Sequence, residues 1–339
     1  MKKHDIGIDI GTTNIKIFFK NGNGDELLNM PTVIAVKKNT QKIIGIGKKA
    51  YNMLGKTPDS IVVKKPMSNG VVSDFYLNKL MLQEILSKIL KKKFKKPRIC
   101  LCIHSFMTNL EKLTFKNSIF PKEPNEIFLI EESLASGLGA GLNLCNNHEY
   151  VIVNIGGGTT DMSIISENGI INNRSIKTGA ELLDDIIYKN ISNQYNLIIG
   201  KATAEKIKKK AATIIDPSTT KKYTLNGKDR ITGLPKSVEV TQKDICSKIE
   251  APITKIVDNI EDVIKQTYKV IPQKLKKNGI ILAGGGSLIP GVCEFISKNI
   301  GLKTTIVKNP INCAAFGALK YFKLLDKNPN NIMHTDTSI

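Results

Sequence analysis

Short apolar runs alternate with stretches of helical periodicity along the whole chain. Two runs, at 6–19 and 151–165, predict pairs of apolar strands joined by a glycine-rich turn. Residues 80–90 carry apolar side chains at the spacing of an amphipathic helix. Further helices are predicted at 131–142, 202–212 and 244–270, the last with a capping box at Thr241 and Asp244 and a break at Pro252. Residues 215–240 predict a small β-rich insert. Strands alternating with helices in this way predict an α/β fold.

The two predicted hairpins repeat one motif. In each, an apolar strand ends in Asp9 or Asn154 and is followed by isoleucine, glycine, a Thr-Thr pair and a second strand. A third glycine run, Gly284 to Gly286, follows the apolar run 279–283. Glycine lets backbone N–H groups approach an anion closely, and successive N–H groups then form a nest for phosphate oxygens. A carboxylate at Asp9 is placed to hold a hydrated Mg²⁺ on those phosphates. The repeat predicts two similar lobes that grip one nucleotide; the alternative is two glycine turns without a ligand.

Composition narrows the class of partner. The chain has 339 residues, enough for two domains at roughly 150 residues each. Its 50 Lys and Arg against 30 Asp and Glu give a net charge of +20, almost all from lysine, since Arg98, Arg174 and Arg230 are the only arginines. Arginine is the residue that reads bases and phosphates through paired hydrogen bonds. The charge therefore indicates solubility or an anionic surface, and no nucleic-acid partner is expected.

Targeting signals and cysteines point to the cytoplasm. No run approaches the ~18 apolar residues that a membrane span needs. The first residues lack the apolar stretch of a signal peptide. The six cysteines lack the partners of a metal site, so reduced, structural thiols are expected.

Several longer segments carry a more specific signal. They are DIGTTN (9–14), AYNMLGKTP (50–58), KPMSNGVVSDF (65–75), FLIEE (128–132), GLGAGL (137–142), NIGGGTTD (154–161), YNLIIG (195–200) with TAE (203–205), and GIILAGGG (279–286). Over nearly its whole length the chain resembles the MreB family of bacterial actins, within the actin, sugar-kinase and heat-shock ATPase superfamily. The resemblance implies an α/β fold with two similar lobes around a cleft that binds ATP and Mg²⁺.

The same resemblance implies four subdomains. Subdomain IA would comprise 1–29, 66–141 and 315–339, and subdomain IB would be the insert 30–65. Subdomain IIA would comprise 142–178 and 243–314, and subdomain IIB would be 179–242.

Residue roles follow from the resemblance motif by motif. The first phosphate loop would be Gly11, Thr12, Thr13 and Asn14, and the second Gly156, Gly157, Gly158 and Thr160. Asp9 and Asn154 would hold Mg²⁺ through water. Glu132 matches the acid that orients the attacking water and Thr159 its partner near the γ-phosphate, groups that act by positioning. Glu205 and Lys208 match the ribose and adenine contacts, and Gly284, Gly285 and Gly286 the loop under the nucleoside.

Without the family resemblance, some of these positions also allow a purely structural role. Glu205 and Lys208 lie three apart on a predicted helix, which favours an intrahelical ion pair. Glu131 and Glu132 are also the acidic residues that favour a helix N-terminus through its dipole.

Three departures from the family pattern indicate a divergent paralogue. Asn154 stands where the family has Asp, so one negative charge is missing close to Mg²⁺, where a charge counts heavily. Ser133 replaces a proline after the acid pair. LCIHSFM (101–107) replaces a Val-Pro-rich strand end, so the following helix, 108–118, matches poorly. His104 in this segment is interpreted as a structural residue in preference to a catalytic base.

A membrane contact is predicted at the end of the helix 80–90. Ile89, Leu90 and Phe94 lie within a lysine cluster that includes Lys92, Lys93 and Lys95. Apolar tips insert at the headgroup boundary while each lysine contributes about 1 kcal/mol near anionic lipid. A solvated lysine loop is the alternative, but the cluster coincides with the loop by which some MreB proteins enter the bilayer.

Three functions follow from these expectations. The first is a cytoplasmic, membrane-peripheral filament that determines cell shape, with slow ATP hydrolysis; the second is a structural filament that binds ATP with little or no hydrolysis, because of Asn154. The third, a kinase or chaperone ATPase, is disfavoured because no substrate base and no peptide-binding domain are identified. Expected partners are further copies of the chain in paired protofilaments, the anionic inner membrane, and other MreB paralogues or cell-shape membrane proteins.

Overall fold

The computed structural model describes residues 5–21, 24–90, 97–117, 126–142, 148–167 and 169–327. Its strands are β1 (Asp5–Ile10), β2 (Asn14–Asn21), β3 (Gly24–Pro31), β4 (Ile34–Lys37), β5 (Ile43–Ile46), β6 (Ile61–Lys64), β7 (Met67–Ser68), β8 (Val71–Val72), β9 (Arg98–Ile103), β10 (Glu126–Glu131), β11 (Tyr150–Ile155), β12 (Thr160–Ser166), β13 (Gly169–Ile176), β14 (Leu197–Ile198), β15 (Lys222–Asp229), β16 (Pro235–Thr241), β17 (Ile280–Ala283) and β18 (Thr304–Ile306). Its α-helices are α1 (Lys48–Tyr51), α2 (Phe75–Leu90), α3 (Asn109–Asn117), α4 (Glu132–Ala140), α5 (Ala180–Tyr195), α6 (Lys201–Ala211), α7 (Gln242–Cys246), α8 (Glu250–Thr267), α9 (Gln273–Asn278), α10 (Val292–Ile300) and α11 (Cys313–Lys327).

Two five-stranded sheets share one topology. The first has the order β10-β9-β1-β2-β3 and the second β18-β17-β11-β12-β13. In each, three parallel strands lead to a central hairpin, β1–β2 or β11–β12, and an antiparallel strand follows. We call the part built on the first sheet lobe I and the part built on the second lobe II. The predicted α/β fold with two similar lobes is confirmed.

Two smaller sheets extend the lobes. The sheet β5-β4-β6 lies within the range predicted for subdomain IB, and the sheet β14-β15-β16 within that predicted for IIB. At two predicted boundaries an element continues across: β3 runs to Pro31, beyond 29, and α11 begins at Cys313, before 315. The subdomain ranges themselves stay a prediction.

Local sequence explains the main elements. Strands β1 and β9 are buried on both faces, as continuous apolar strands in the middle of a parallel arrangement require. The capping box predicted at Thr241 and Asp244 is present and begins α7. The predicted helix 244–270 is in fact two helices, and Pro252 lies in the first turn of α8, where its missing N–H costs no hydrogen bond. Helices predicted at 80–90, 131–142 and 202–212 correspond to α2, α4 and α6.

Helices α4 and α11 pack between the two main sheets. Their apolar side chains join a core cluster that includes Cys100 of lobe I and Ile152 of lobe II. The two helices approach so closely that a Cβ on Gly317 would overlap the carbonyl oxygen of Ala135. Glycine is therefore required where these helices cross.

A charge cluster around the buried Arg98 joins the last described helix to the first strand. The guanidinium of Arg98 on β9 donates to Asp5 on β1 at 2.7 and 2.9 Å and to Asp326 on α11 at 2.7 and 3.0 Å. Arg98 also lies 4.6 Å from the centroid of the Phe322 ring. Two-pronged pairing of this kind fixes direction as well as distance.

Within the described ranges, none of the helices has both the length and the apolar character that crossing a bilayer requires.

The crossing of α4 and α11 gives a first prediction. Gly317→Ala should lower the free energy of unfolding by about 1–3 kcal/mol, because the added methyl group meets backbone that cannot move aside. Gly200→Ala is the matched control: a Cβ there would lie 3.9 Å from its nearest neighbour, and the position has ordinary backbone angles. Urea denaturation of the three proteins measures the difference. Equal stability of both variants would contradict the close packing.

Candidate functional site

The cleft between the lobes is lined by the carboxyl ends of the central strands. Asp9 lies near the end of β1, His104 directly after β9, and Glu132 directly after β10. Asn154 lies near the end of β11 and Gly284 directly after β17. Ligands of open α/β sheets bind at this edge of the strands, so the topology alone brings these residues to one place.

The two hairpin turns are built alike and face each other. Gly11 N–H donates to the carbonyl of Asn14 at 3.1 Å, and Gly156 N–H donates to that of Thr159 at 2.8 Å. A Cβ on Gly157 would overlap the Thr13 hydroxyl, and one on Gly158 would lie 2.5 Å from the Thr12 hydroxyl. The structure therefore brings the two predicted phosphate loops into contact, at a distance that only glycine allows.

Polar contacts join the loops to their surroundings. The Thr12 hydroxyl accepts from the N–H of Gly70 at 2.9 Å, and the Thr13 hydroxyl donates to Glu181 at 2.9 Å. Glu181 also pairs with Lys65 across the cleft at 2.7 Å. Helix α5 begins at the second loop, where its Glu181 N–H donates to the carbonyl of Gly157 at 2.8 Å. The N-terminus of this helix thus adds positive dipole to the loop.

Asp9 is buried and paired. It lies opposite Lys16 in the β1–β2 register, and the Lys16 ammonium lies 2.5 Å from its carboxylate. Burial disfavours the charged lysine, but the carboxylates of Asp9 and Glu132 outweigh this and raise the pKa of Lys16. Lys16 is therefore charged at neutral pH.

Four polar side chains meet on the floor of the cleft. Asn154 donates its amide N–H to Glu132 Oε1 at 2.5 Å. His104 Nδ1 lies 3.1 Å from Glu132 Oε2 and 2.9 Å from Asp161 Oδ2. All four are at most 7% exposed. Because Asn154 and Asp161 belong to lobe II and the other two to lobe I, these bonds join the lobes.

Burial and neighbouring charges shift two pKa values on the floor of the cleft. Burial alone would lower the pKa of His104, but Asp161 and Glu132 outweigh it and raise the pKa to about 9. Burial and the charge of Asp9 raise the pKa of the Glu132 carboxyl, although His104 opposes this. Three carboxylates, those of Asp9, Glu132 and Asp161, thus share two cationic partners, Lys16 and His104.

This group of side chains has the chemistry of a cation site. Carboxylate oxygens such as that of Asp9 are the ligands that Mg²⁺ prefers, directly or through water, so the predicted Mg²⁺ fits the residues present. The amide oxygen of Asn154 faces Gly284, where a Cβ would lie 2.5 Å from it. The ligand atoms of His104, Glu132 and Asp161 lie within 4.8 Å of one another, close enough to share one ion.

Two of the residues predicted to contact the nucleoside, Glu205 and Lys208, lie on α6 and bond to other protein groups. Glu205 accepts from Tyr51 of lobe I at 2.7 Å and pairs with Lys209, one turn along the helix, at 2.6 Å. Lys208 is buried and binds Asp184 at 2.8 Å and the carbonyl of Ala180 at 2.7 Å. Glu205 and Lys208 do not pair with each other; each links α6 to a different neighbour. Their predicted nucleoside contacts stay a prediction.

The structure shows the neighbours of two residues that depart from the family pattern, Ser133 and His104. Ser133, where the family pattern has proline, lies 2.5 Å from Ser163 through the two hydroxyl groups. His104, interpreted from sequence as structural, lies on the cleft floor beside Glu132.

The predicted membrane segment is described only in part. Ile89 and Leu90 end α2, are half-buried and pack against the core of lobe I. Lys92, Lys93, Phe94 and Lys95 lie outside the described residues.

Sequence reasoning missed five partners in the cleft: Lys16, Tyr51, Lys65, Asp161 and Glu181. Two of them carried a signal. Lys16 follows from the hairpin itself, because a short turn after Asp9 puts residue 16 opposite it. Asp161 occupies the place in the second motif that Asn14 has in the first.

Comparison with known proteins shows similarity to one family over nearly the whole chain. A family model described as MreB/Mbl protein matches residues 3–330. The cell shape-determining protein Mbl of Bacillus subtilis is 32% identical over 330 residues, which cover 97% of this chain and 98% of that protein. The cell shape-determining protein MreB of Escherichia coli is 29% identical over 332 residues, covering 96% of this chain and 95% of that protein.

One solved structure is similar over almost the full chain. MreB5 of Spiroplasma citri, bound to AMPPNP, superposes with a TM-score of 0.89 at 31% identity and covers 98% of this chain and 99% of its own.

The raised pKa of His104 gives a second prediction, on stability against pH. The imidazole has a pKa of about 9 in the folded protein against an ordinary value of 6.5, so its stabilisation is complete below pH 6.5 and is lost as the pH rises through 9. His104→Asn keeps an N–H donor at the Nδ1 position but cannot be charged. The stability advantage of the natural protein over this variant should shrink by up to about 1.4 kcal/mol per pH unit within that window. Urea denaturation from pH 6 to 9.5 tests this, and a constant difference would contradict it.

Proposed function

Because the chain belongs to the MreB/Mbl family of bacterial actins that determine cell shape, we propose that it binds ATP with Mg²⁺ in the cleft and polymerises into membrane-associated filaments. The single observation that carries the proposal is the contact between two equivalent glycine turns, Gly11–Asn14 and Gly156–Thr159, from opposite lobes. Two N–H-rich turns that face each other suit a chain of phosphates, which carries negative oxygens on both sides. The structures of MreB5 bound to AMPPNP and to ADP support a nucleotide ligand.

We assign the nucleotide contacts as follows. Phosphates bind beside the place where the two loops touch, against the residues Gly11, Thr12, Thr13, Asn14 of one loop and Gly156, Gly157, Gly158, Thr160 of the other. The nucleoside lies against Glu205, Lys208 and the loop Gly284, Gly285, Gly286. Tyr51 reaches Glu205 from lobe I, so it is a candidate to close over the nucleoside.

Asp9 is the principal protein group for Mg²⁺, held through water, and Asn154 adds an uncharged neighbour. When bound, the ion neutralises phosphate charge and keeps the phosphates in one arrangement. Lys16 holds the Asp9 carboxylate in the cleft at 2.5 Å.

Hydrolysis, in this proposal, is slow. Glu132 orients the attacking water and Thr159 lies beside the γ-phosphate. A second candidate is a structural filament that binds ATP with little or no turnover, and the specific observation that favours it is Asn154, which brings no negative charge to the cleft floor. The four subdomain ranges inferred from sequence are proposed as the parts that move about the cleft.

Nucleotide binding and assembly are tested together as a third prediction. With Mg²⁺-ATP the protein should pellet above a critical concentration, and phosphate release should rise with the pelleted fraction. Gly157→Ala should weaken binding of a fluorescent ATP analogue by about tenfold, or 1.4 kcal/mol, because the added methyl group overlaps Thr13 and displaces the two loops from each other. Gly45→Ala is the control, because a Cβ there meets only the flexible Lys49 side chain.

The outcomes separate the two candidates. Pelleting with phosphate release supports the slowly hydrolysing filament, and pelleting without release supports the structural filament. Absence of ATP binding by the natural protein, or full binding by Gly157→Ala, would refute the assignment of the cleft.

The membrane-binding surface of the protein is a separate part of the proposal. We place the protein at the cytoplasmic face of the membrane. Lys92, Lys93, Phe94 and Lys95 follow α2 and form the contact. Ile89 and Leu90 anchor this segment to the protein, because they pack against the core of lobe I. Other MreB paralogues or cell-shape membrane proteins are further candidate partners there.

Co-sedimentation with vesicles tests this contact as a fourth prediction. Replacing Lys92, Lys93 and Lys95 with alanine should weaken binding to vesicles rich in anionic lipid by roughly 100-fold, at about 1 kcal/mol for each lysine. The control replaces the exposed Lys276, Lys277 and Lys308, which removes the same charge elsewhere. An equal loss in both triple variants would mean that only net charge, and no specific segment, binds the lipid.

A further inference from the structure

The Glu132 carboxylate is held from two sides. Its Oε1 accepts from the amide of Asn154 at 2.5 Å, and its Oε2 lies 3.1 Å from His104 Nδ1. The residue is only 7% exposed. Oε1 therefore has a hydrogen-bond donor and Oε2 has the imidazole nitrogen within ion-pair distance, and little of the carboxylate faces solvent.

Both donors are themselves fixed. Asn154 lies in the buried end of β11, and its amide oxygen faces the glycine loop after β17. His104 shares its Nδ1 with Asp161 at 2.9 Å, and its ring stacks on Phe106 at 5.4 Å. A Cβ on Gly70 would lie 2.7 Å from the same ring. The donors cannot turn away without moving a strand or a neighbouring backbone.

A carboxylate that orients water has to direct an oxygen towards it, and here both oxygens of Glu132 already face close protein groups. We propose that His104 and Asn154 clamp Glu132 between them and thereby slow hydrolysis, so that they are positioning residues that set the turnover of the site. This inference rests on the proposed function, since it assigns Glu132 the water-orienting role.

The clamp differs from the missing-charge explanation of slow turnover. If only the charge at residue 154 matters, Asn154→Asp alone restores turnover. If the clamp matters, Asn154→Asp frees Oε1 while His104 still holds Oε2. Freeing both oxygens of Glu132 then requires both substitutions. The effects of the two substitutions on the hydrolysis rate are not additive, as expected for residues that share one partner.

Single-turnover ATP hydrolysis in a double-mutant cycle tests the clamp as a fifth prediction. The proteins are the natural chain, Asn154→Asp, His104→Ala and the double variant, with His104→Asn as the conservative variant that keeps a donor at the same place. The double variant should hydrolyse ATP about tenfold faster than the natural chain and faster than the product of the single effects. His104→Asn should stay at the natural rate, and the affinity of each variant for ATP is measured separately so that binding and hydrolysis are compared independently.

Three results would overturn the clamp. They are a double variant that binds ATP normally but turns over no faster, full restoration by Asn154→Asp alone, and a His104→Asn variant as fast as His104→Ala. A natural chain that does not bind ATP would instead overturn the proposed function itself.

A measurement on the natural protein covers the case in which the variants do not fold. The clamp requires a proton on His104 Nδ1, which a long-range ¹H–¹⁵N spectrum of histidine-labelled protein detects. Elemental analysis of the same sample completes the test. A protonated Nδ1 in metal-free protein supports the clamp, and a metal ion bound through that nitrogen refutes it.

Discussion

The close approach of the two glycine turns is the constraint on which the rest of the structure depends. With Gly157 against Thr13 and Gly158 beside Thr12, no larger side chain fits between the lobes at this level. The approach brings the ends of β1 and β11 together, and with them every polar group of the cleft floor. The bonds from Glu181 to Thr13 and Lys65, and from Tyr51 to Glu205, then join the lobes at further points. The same contacts therefore fix both the positions of the two lobes and the geometry of the cleft.

The cost of this arrangement is electrostatic. Bringing Asp9, Glu132 and Asp161 out of water is unfavourable unless each charge is paired and hydrogen-bonded. Lys16 forms an ion pair with Asp9, and His104 lies within ion-pair distance of Glu132 and Asp161. An amide at residue 154 supplies a donor where a further carboxylate would add repulsion. The departures at His104 and Asn154 are thus compatible with each other, because both contact the same carboxylate.

The sequence was enough to predict the fold class, the two hairpins, the main helices and the family, because glycine turns and apolar periodicity are local signals. It was not enough to predict the role of His104, whose neighbours Glu132 and Asp161 come from other strands. Nor could it separate Glu205 and Lys208, which share a helix face but bind Tyr51 and Asp184 respectively. The break before α8 was misplaced at Pro252, since proline also begins helices. Contacts between distant segments decided the first two of these, and the position of the proline within its own helix decided the third.

The bonds of Arg98 to Asp5 and to Asp326 join residues near both ends of the chain. Lobe I is therefore assembled from both ends of the sequence, whereas the main sheet of lobe II lies within residues 150–306. Domains fold as units during synthesis, from the N-terminus onwards. On the ribosome, lobe II has all its strands before α11 emerges, and lobe I has to wait with its first strands made and its last helix missing. A chain stalled or cut before residue 313 would carry a completed second half and an open first half, a species for chaperones or proteases to recognise.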